Sequence, residues 1–374
     1  MKNHLLSFGN STRQSLNSLA MEITHPNRLW LYHLLCWVFF GAASIPVANA
    51  ACHSITNEHV DLRVTYQSAP SPALSLVIYD DEQEQGFSTN EVFIVGGESA
   101  RLTLPAGTPF GNAGESIWVL PQTSIPDLPK LGISGEGLPD GLFADNSVHI
   151  RLIRVDGPGH FILWQTLGPG QFEIFMDSRN GISAADAKTI GVDAHQHVSW
   201  GFTTSGLYRI TFQAAGVLAG QSQPVTGPEH TFIFHLLPLR PFENWQATNW
   251  PCECNPQLIS PGADPDADGQ VNAAEYAQGS NPLLADVHLR PQATVIWHDG
   301  TPYGALIFHR SKSATDILRL PVAASQFQGD SWETLTQIHH LEDLGEIERI
   351  TIRDNQPLNQ SSKRWYQLRV QSIP

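Results

Sequence analysis

Between His59 and Leu237 the sequence sustains no helical period. It alternates short apolar runs with glycine and proline. VDLRVTYQ, ALSLVIYDD, EVFIVGG, ARLTLP, SIWVLPQ, SVHIRLIRVDG, HFILWQT, FEIFMDS, HVSWGFTT, LYRITFQA and HTFIFHLL all read as strands, because their apolar side chains recur at the two-residue period of a half-buried sheet. A chain with 30 glycines, 26 prolines and only 15% charged residues suits many strands joined by turns. Only SAADAKT, within residues 183–189, reads as a short helix in this region.

The pattern stops at Leu237. Residues 238–263 are rich in Pro, Asn and Trp, show no period and read as a linker. An acidic loop and a short helix follow over 264–279. ATVIWHD, GALIFHRS, DILRLPVAA, WETLTQI, ERITIRD and RWYQLRVQ then give a second strand-rich region. The expected fold is all-β: two β-sandwiches of immunoglobulin or fibronectin type, joined by a calcium-loop linker with one short helix. The expected boundaries are 51–237 for the first sandwich, 238–285 for the linker and 286–374 for the second.

Residues 1–50 read as an export signal. Arg28 precedes an apolar run from Leu29 to about Ala43, and Val47-Ala48-Asn49-Ala50 supplies a small-x-small cleavage site. The run is shorter than the roughly 20 residues a membrane span needs, so no transmembrane anchor is expected in the mature chain. The polar residues before it fit a signal poorly, and Met21 is the better start. Lipidation at Cys52 is a competing reading, against which Asn49 stands where an aliphatic residue is wanted. Of four cysteines, Cys36 would leave with the signal. Cys52, Cys252 and Cys254 remain, with three possible pairings in an oxidising compartment. A Cys252–Cys254 bond would be strained.

The net charge is −15, and residues 1–50 carry three basic side chains but one acidic. Loss of the signal therefore makes the chain more acidic still. Such a surface repels nucleic acid and anionic membrane and attracts cations; no nucleic-acid partner is expected.

DPDADGQVNAAE, residues 264–275, has an oxygen donor at every position a calcium loop requires. These are Asp264, Asp266, Asp268, the Gln270 carbonyl, Asn272 and Glu275, with Gly269 at the sharp turn. Asn272 can also cap the exiting helix. Pro256 and Pro261 argue against an entering helix, so this is half of an EF-hand with a structural calcium.

In DAHQHVSWGFTT, residues 193–204, strand alternation puts Val198, Trp200 and Phe202 on the core face and His195 and His197 on the other. Imidazoles at i and i+2 stand roughly 7 Å apart and can reach one metal. His59 and Asp61 form a second such pair. Together they offer three imidazoles and one carboxylate to zinc or another transition metal; a hydrogen-bonded structural cluster is the alternative. Gly206-Leu207-Tyr208 matches a tyrosine corner, in which the hydroxyl bonds to nearby backbone.

HVDLRV, SIWVLPQT, GPGHF, HQHVSWGFTTSGLYRITF and HTFIFHL follow in the order seen in the bacterial surface domain called choice-of-anchor M, which residues 55–236 resemble. The resemblance implies an exported β-sandwich displayed on cell surfaces, in some cases near metal-uptake transporters. It maps a His-x-His-x-x-Trp motif onto His195, His197 and Trp200, and a His-x-Asp motif onto His59 and Asp61. Where that family often carries further histidines, this chain has Asp80 and Asp81. The acidic loop resembles dockerin and thrombospondin-type loops. The segment after it resembles a secreted bacterial β-domain, with Trp332, Trp365, Tyr366 and Leu368 expected in its core.

No Gly-x-Ser-x-Gly elbow, His-Glu-x-x-His helix or phosphate-binding glycine loop is present. GISGEGLPDG reads as a turn region. The expected role is a non-enzymatic binding protein of the cell surface or envelope, whose partner is an envelope component, a surface protein or a carbohydrate. A passive envelope or adhesion component and a zinc-dependent hydrolase are the alternatives.

Overall fold

The computed structural model describes residues 21–24, 52–68, 73–285, 287–328, 331–360 and 363–372. The expected signal lies outside the described residues except at Met21–Thr24, whose backbone pairs antiparallel with Lys363–Tyr366. The protein is all-β as expected. It has three α-helices among the described residues, Pro241–Asn249, Pro256–Ile259 and Asn272–Gln278, where the sequence promised one after the acidic loop and another at SAADAKT.

Residues 43–254 form one compact unit. One sheet orders its strands His195–His197, Lys130–Ser134, His59–Gln67, Ala73–Asp80, Gln85–Phe87. A second runs Ala187–Gly191, Ser147–Asp156, Gly206–Val217, Pro224–Leu236, Val92–Gly96, His53–Ile55. A third runs Gln171–Asp177, Phe161–Gly168, Ser199–Phe202, Ser116–Leu120, Arg101–Thr103. All three feed one core. Val60, Leu62 and Val64 enter it from the first sheet, Ile150, Phe212 and Phe234 from the second, and Phe161, Trp200 and Phe202 from the third. Burying these side chains supplies most of the driving force for folding.

Several local expectations change. HVSWGFTT is not one strand. His195–His197 belongs to the first sheet and Ser199–Phe202 to the third, so the chain changes sheets at the buried Val198. SAADAKT is not a helix: the Asp186 carboxylate accepts from Ser183 N at 2.8 Å and from Asp177 N at 2.8 Å, which holds a turn that leads into the strand Ala187–Gly191. Part of GISGEGLPDG is strand too, since Lys130–Ser134 pairs on both sides. The Tyr208 hydroxyl donates to the Thr204 carbonyl at 2.8 Å, as a tyrosine corner requires.

Cys52 is bonded to Cys252, and Cys254 is free. That bond takes the sulfur that lipidation of Cys52 would need, and it removes Cys252 from any thiolate metal site.

The second unit contains residues 255–374, so the division falls inside the stretch read as a linker. One sheet runs Gln292–His298, Thr301–Ser311, Ile347–Pro357, Gln337–Asp343; the other joins Met21–Thr24, Lys363–Ser372, Ile317–Ala324 and Glu333–Thr334. Leu306, Phe308, Ile350, Ile352 and Tyr366 make its core, with Leu368 packed against it. Trp332 and Trp365 lie outside that core, half-buried beside Phe327. The acidic loop is built into this unit rather than strung along a tether. The Tyr276 hydroxyl donates to Asp316 Oδ1 at 2.5 Å, and Arg319 Nε donates to the Ala277 carbonyl at 2.9 Å.

Candidate metal centres

Strand alternation and pairing register build the first centre. His59 and Asp61 lie on the strand His59–Gln67, whose even positions Val60, Leu62 and Val64 are buried in the core. The odd positions therefore share the opposite face. Lys130–Ser134 runs parallel to this strand and sets Gly132 opposite Asp61. His195–His197 runs antiparallel on the other side and sets His197 opposite Gly132 and His195 opposite Ser134. A row His197–Gly132–Asp61 thus crosses three strands, with His195 and His59 flanking it on the same face.

The four side chains meet. One ligand atom from each of His59, Asp61, His195 and His197 lies within 4.8 Å of the other three. His195 Nε2 and His197 Nε2 are 3.1 Å apart, and His195 Nδ1 is 3.2 Å from Asp61 Oδ2. The His59 ring centroid stands 4.9 Å from that of His197 and 5.5 Å from that of His195. Tetrahedral zinc with bonds of about 2.0–2.2 Å separates its ligands by about 3.3–3.5 Å, so the His195 Nε2–His197 Nε2 pair already suits a shared ion.

Gly132 makes the room. A Cβ built there would stand 2.2 Å from Asp61 Oδ1, 3.1 Å from His197 Nδ1 and 3.2 Å from His195 Nε2. The position of that missing methyl is the hollow between three of the four donors. Sequence reading missed this residue, because its segment looked like a turn; the only signal was a lone glycine inside an alternating Leu131, Ile133 pair.

The electrostatics are those of a site short of positive charge at one place and ready to donate at the others. Asp61 is fully buried, and neither carboxylate oxygen is aligned for a hydrogen bond. Burial, with the Asp81 charge adding to it, pushes its carboxyl up to about 7. Burial pulls the His197 imidazole down to about 4, with Lys130 acting in the same direction. Burial lowers His59 as well, against the opposing effect of Asp81. At neutral pH both rings are therefore uncharged, with lone pairs free for coordination. His59 Nε2 and His197 Nδ1 are buried without hydrogen bonds. Buried polar atoms left so are costly unless something else satisfies them.

The second centre is the acidic loop. Carboxylate oxygens of Asp264, Asp266 and Asp268 lie within 4.8 Å of one another. Asp268 N and Gly269 N donate back to Asp264, and Gln270 N donates to Asp268 Oδ1 at 2.7 Å. Gly269 has φ +89°, the left-handed conformation the turn needs. Glu275 is fully buried, with no hydrogen bond to either carboxylate oxygen. Burial, then the charges of Asp266, Asp268 and Asp264, push it up to about 8. Asn272 does not cap the helix, whose N-cap is Val271. Its Nδ2 instead donates to the carbonyls of Leu258 and Ser260, each at 2.8 Å, which ties the loop to the one-turn helix Pro256–Ile259. Gln270 N belongs to the loop ladder, and its side-chain oxygen accepts from Gln278 Nε2 at 2.9 Å. Arg290 Nη2 stands 3.2 Å from Asp268 Oδ2, a neighbour that the twelve-residue pattern does not contain.

No helix among the described residues is long and apolar enough to cross a membrane. Comparison with known families finds no family model that matches this chain, and no curated protein matches it.

Proposed function

We propose that this chain is an exported, cell-surface or envelope-associated binding protein that holds one divalent transition metal, of the zinc class, through His59, Asp61, His195 and His197. The observation that carries this reading is their convergence around Gly132, within 4.8 Å of one another, from two strands distant in sequence, His59–Gln67 and His195–His197. Three imidazoles and a carboxylate are the donor set borderline dications prefer. Four protein ligands fill a tetrahedral ion, and a catalytic zinc keeps one position open, so the arrangement favours holding the metal over hydrolysis. The resemblance of residues 55–236 to choice-of-anchor M domains supports the surface location.

Metal analysis of the purified protein after exposure to zinc and exhaustive dialysis tests the reading. One equivalent is expected in the parent and none in His195→Ala/His197→Ala, with the circular dichroism of the two unchanged. A parent that retains no zinc removes the proposal.

In the second unit the acidic loop binds calcium in a structural role. Glu275 carries this part, since a fully buried carboxylate facing three others is stable only beside a cation or a proton. Calorimetric titration of Glu275→Gln is expected to show calcium affinity at least about a hundredfold weaker than the parent's, because the bidentate twelfth ligand is lost. Without calcium the order of stability reverses. The folded-state pKa of Glu275 is raised to about 8, so its contribution is most favourable below the unfolded value and is lost as pH rises through about 8. The calcium-free variant should then melt above the calcium-free parent at pH 9. Equal calcium affinity in the two proteins would remove Glu275 from the site.

A further inference from the structure

Two carboxylates outside the ligand set stand against the first centre. Arg63 lies two residues beyond Asp61 on the same strand face, flat on the Tyr79 ring with its guanidinium carbon 3.4 Å from the ring centre. Its Nη2 donates to Asp81 Oδ1 at 2.9 Å and to Glu136 Oε2 at 2.8 Å. One nitrogen thus clamps one oxygen of each carboxylate. Ser134 Oγ donates to the same Glu136 oxygen at 3.2 Å and accepts from Glu136 N at 3.1 Å. The remaining oxygens face the imidazoles. Asp81 Oδ2 is 3.8 Å from His59 Nε2, and Glu136 Oε1 is 3.8 Å from His195 Nδ1.

We propose that Arg63, Asp81 and Glu136 form an outer frame that positions the His59 and His195 rings and limits the centre to a single dication. A metal-bound imidazole commonly donates its second ring N–H to a carboxylate, which fixes the tautomer and raises the basicity of the ligating nitrogen. Asp81 is placed for that task on His59, and Glu136 shares it on His195 with Asp61 Oδ2, which stands nearer to Nδ1 at 3.2 Å and leaves Asp61 Oδ1 facing the hollow. At 3.8 Å Asp81 and Glu136 are each about 1 Å beyond a hydrogen bond, so metal binding must bring ring and carboxylate closer by that much. The inference rests on the metal-binding reading above.

Asp61, Asp81 and Glu136 also have oxygens within 4.8 Å of one another, which could be taken for a second cation site. Charge decides against it. Three carboxylates face one guanidinium, so the group has an excess of two negative charges, and Lys130 acts on Asp61 as well. One dication removes that excess. A second would leave the cluster strongly positive in a half-buried setting, with Arg63 already bonded to two of its three ligands.

The full-length mature protein is titrated with zinc alone and with cobalt(II) alone, in the parent, Asp81→Asn and Glu136→Gln. Glu136 is the most exposed member of the group, so Glu136→Gln makes the smallest demand on folding and its circular dichroism should match the parent's. The parent is expected to bind one equivalent of zinc. Each variant should bind one equivalent about 10–100-fold more weakly, with a shifted cobalt visible band that a merely structural residue would not move. Unchanged affinity and cobalt spectrum in both variants, while His195→Ala/His197→Ala has lost zinc, would overturn the frame and leave the metal centre standing. Two equivalents in the parent, the second lost in Asp81→Asn, would overturn the single-ion limit. No zinc in the parent would overturn both the frame and the centre it serves.

Discussion

Gly132→Ala is expected to weaken zinc binding at least about a thousandfold, equivalent to about 4 kcal/mol, while leaving the first unit folded. The added methyl would sit 2.2 Å from Asp61 Oδ1 and close to both imidazoles of the His-x-His pair. An oxygen at the end of an exposed side chain would swing aside at little cost. Asp61 is fully buried, so its displacement costs packing and withdraws the one anionic ligand from the site. Gly132 is not among the glycines with positive φ, so alanine meets no backbone strain there and only the space is contested. The same substitution at Gly97, where nothing lies within 4 Å of an added Cβ, serves as the control and should leave binding unchanged. Zinc affinity measured by competition with a chelating dye reads the effect. A Gly132→Ala protein that binds as tightly as the parent would show that the four side chains do not share one ion.

The Cys52–Cys252 bond is expected to contribute about 2–5 kcal/mol to the stability of the first unit. The pairing closes a loop with a sequence separation of 200, and loop-closure entropy places a bond of that span at the upper end of the range. It joins the residue before the edge strand His53–Ile55 to the turn that follows the helix Pro241–Asn249. Cys252→Ser should therefore lower the melting temperature of the first unit by about 5–20 °C, and reductant should do the same to the parent. Melting curves that coincide with and without reductant would rule out a stabilising bond. The second unit contains no part of this pair.

Much of this was legible from residues close together in the chain. Strand periodicity is local, so the all-β class followed from it. The same period put His195 with His197, and His59 with Asp61, on common faces. The calcium-loop pattern spans twelve residues, and that spacing alone singled out Asp264 through Glu275 as candidate ligands. Errors arose where a neighbour came from far away. HVSWGFTT divides at Val198 because two different sheets claim its halves. Arg290 reaches Asp268 from beyond the loop, and Trp332 and Trp365 pack beside Phe327 instead of in the core that holds Tyr366.

Residues 130–136 show the limit most clearly. GISGEGLPDG reads as turn because its glycines lower strand propensity, yet its first three residues are strand because a parallel neighbour and an antiparallel one bond to the two edges of Lys130–Ser134. By itself the sequence determined which side chains could be donors, and in which pairs. Tertiary structure alone decided that the pairs meet, that Gly132 leaves the hollow between them, and that Asp81 and Glu136 stand behind them on Arg63. The physical reason is that side-chain direction along a strand is set by the adjacent peptide units, whereas strand order is set by long-range pairing, which no local period encodes.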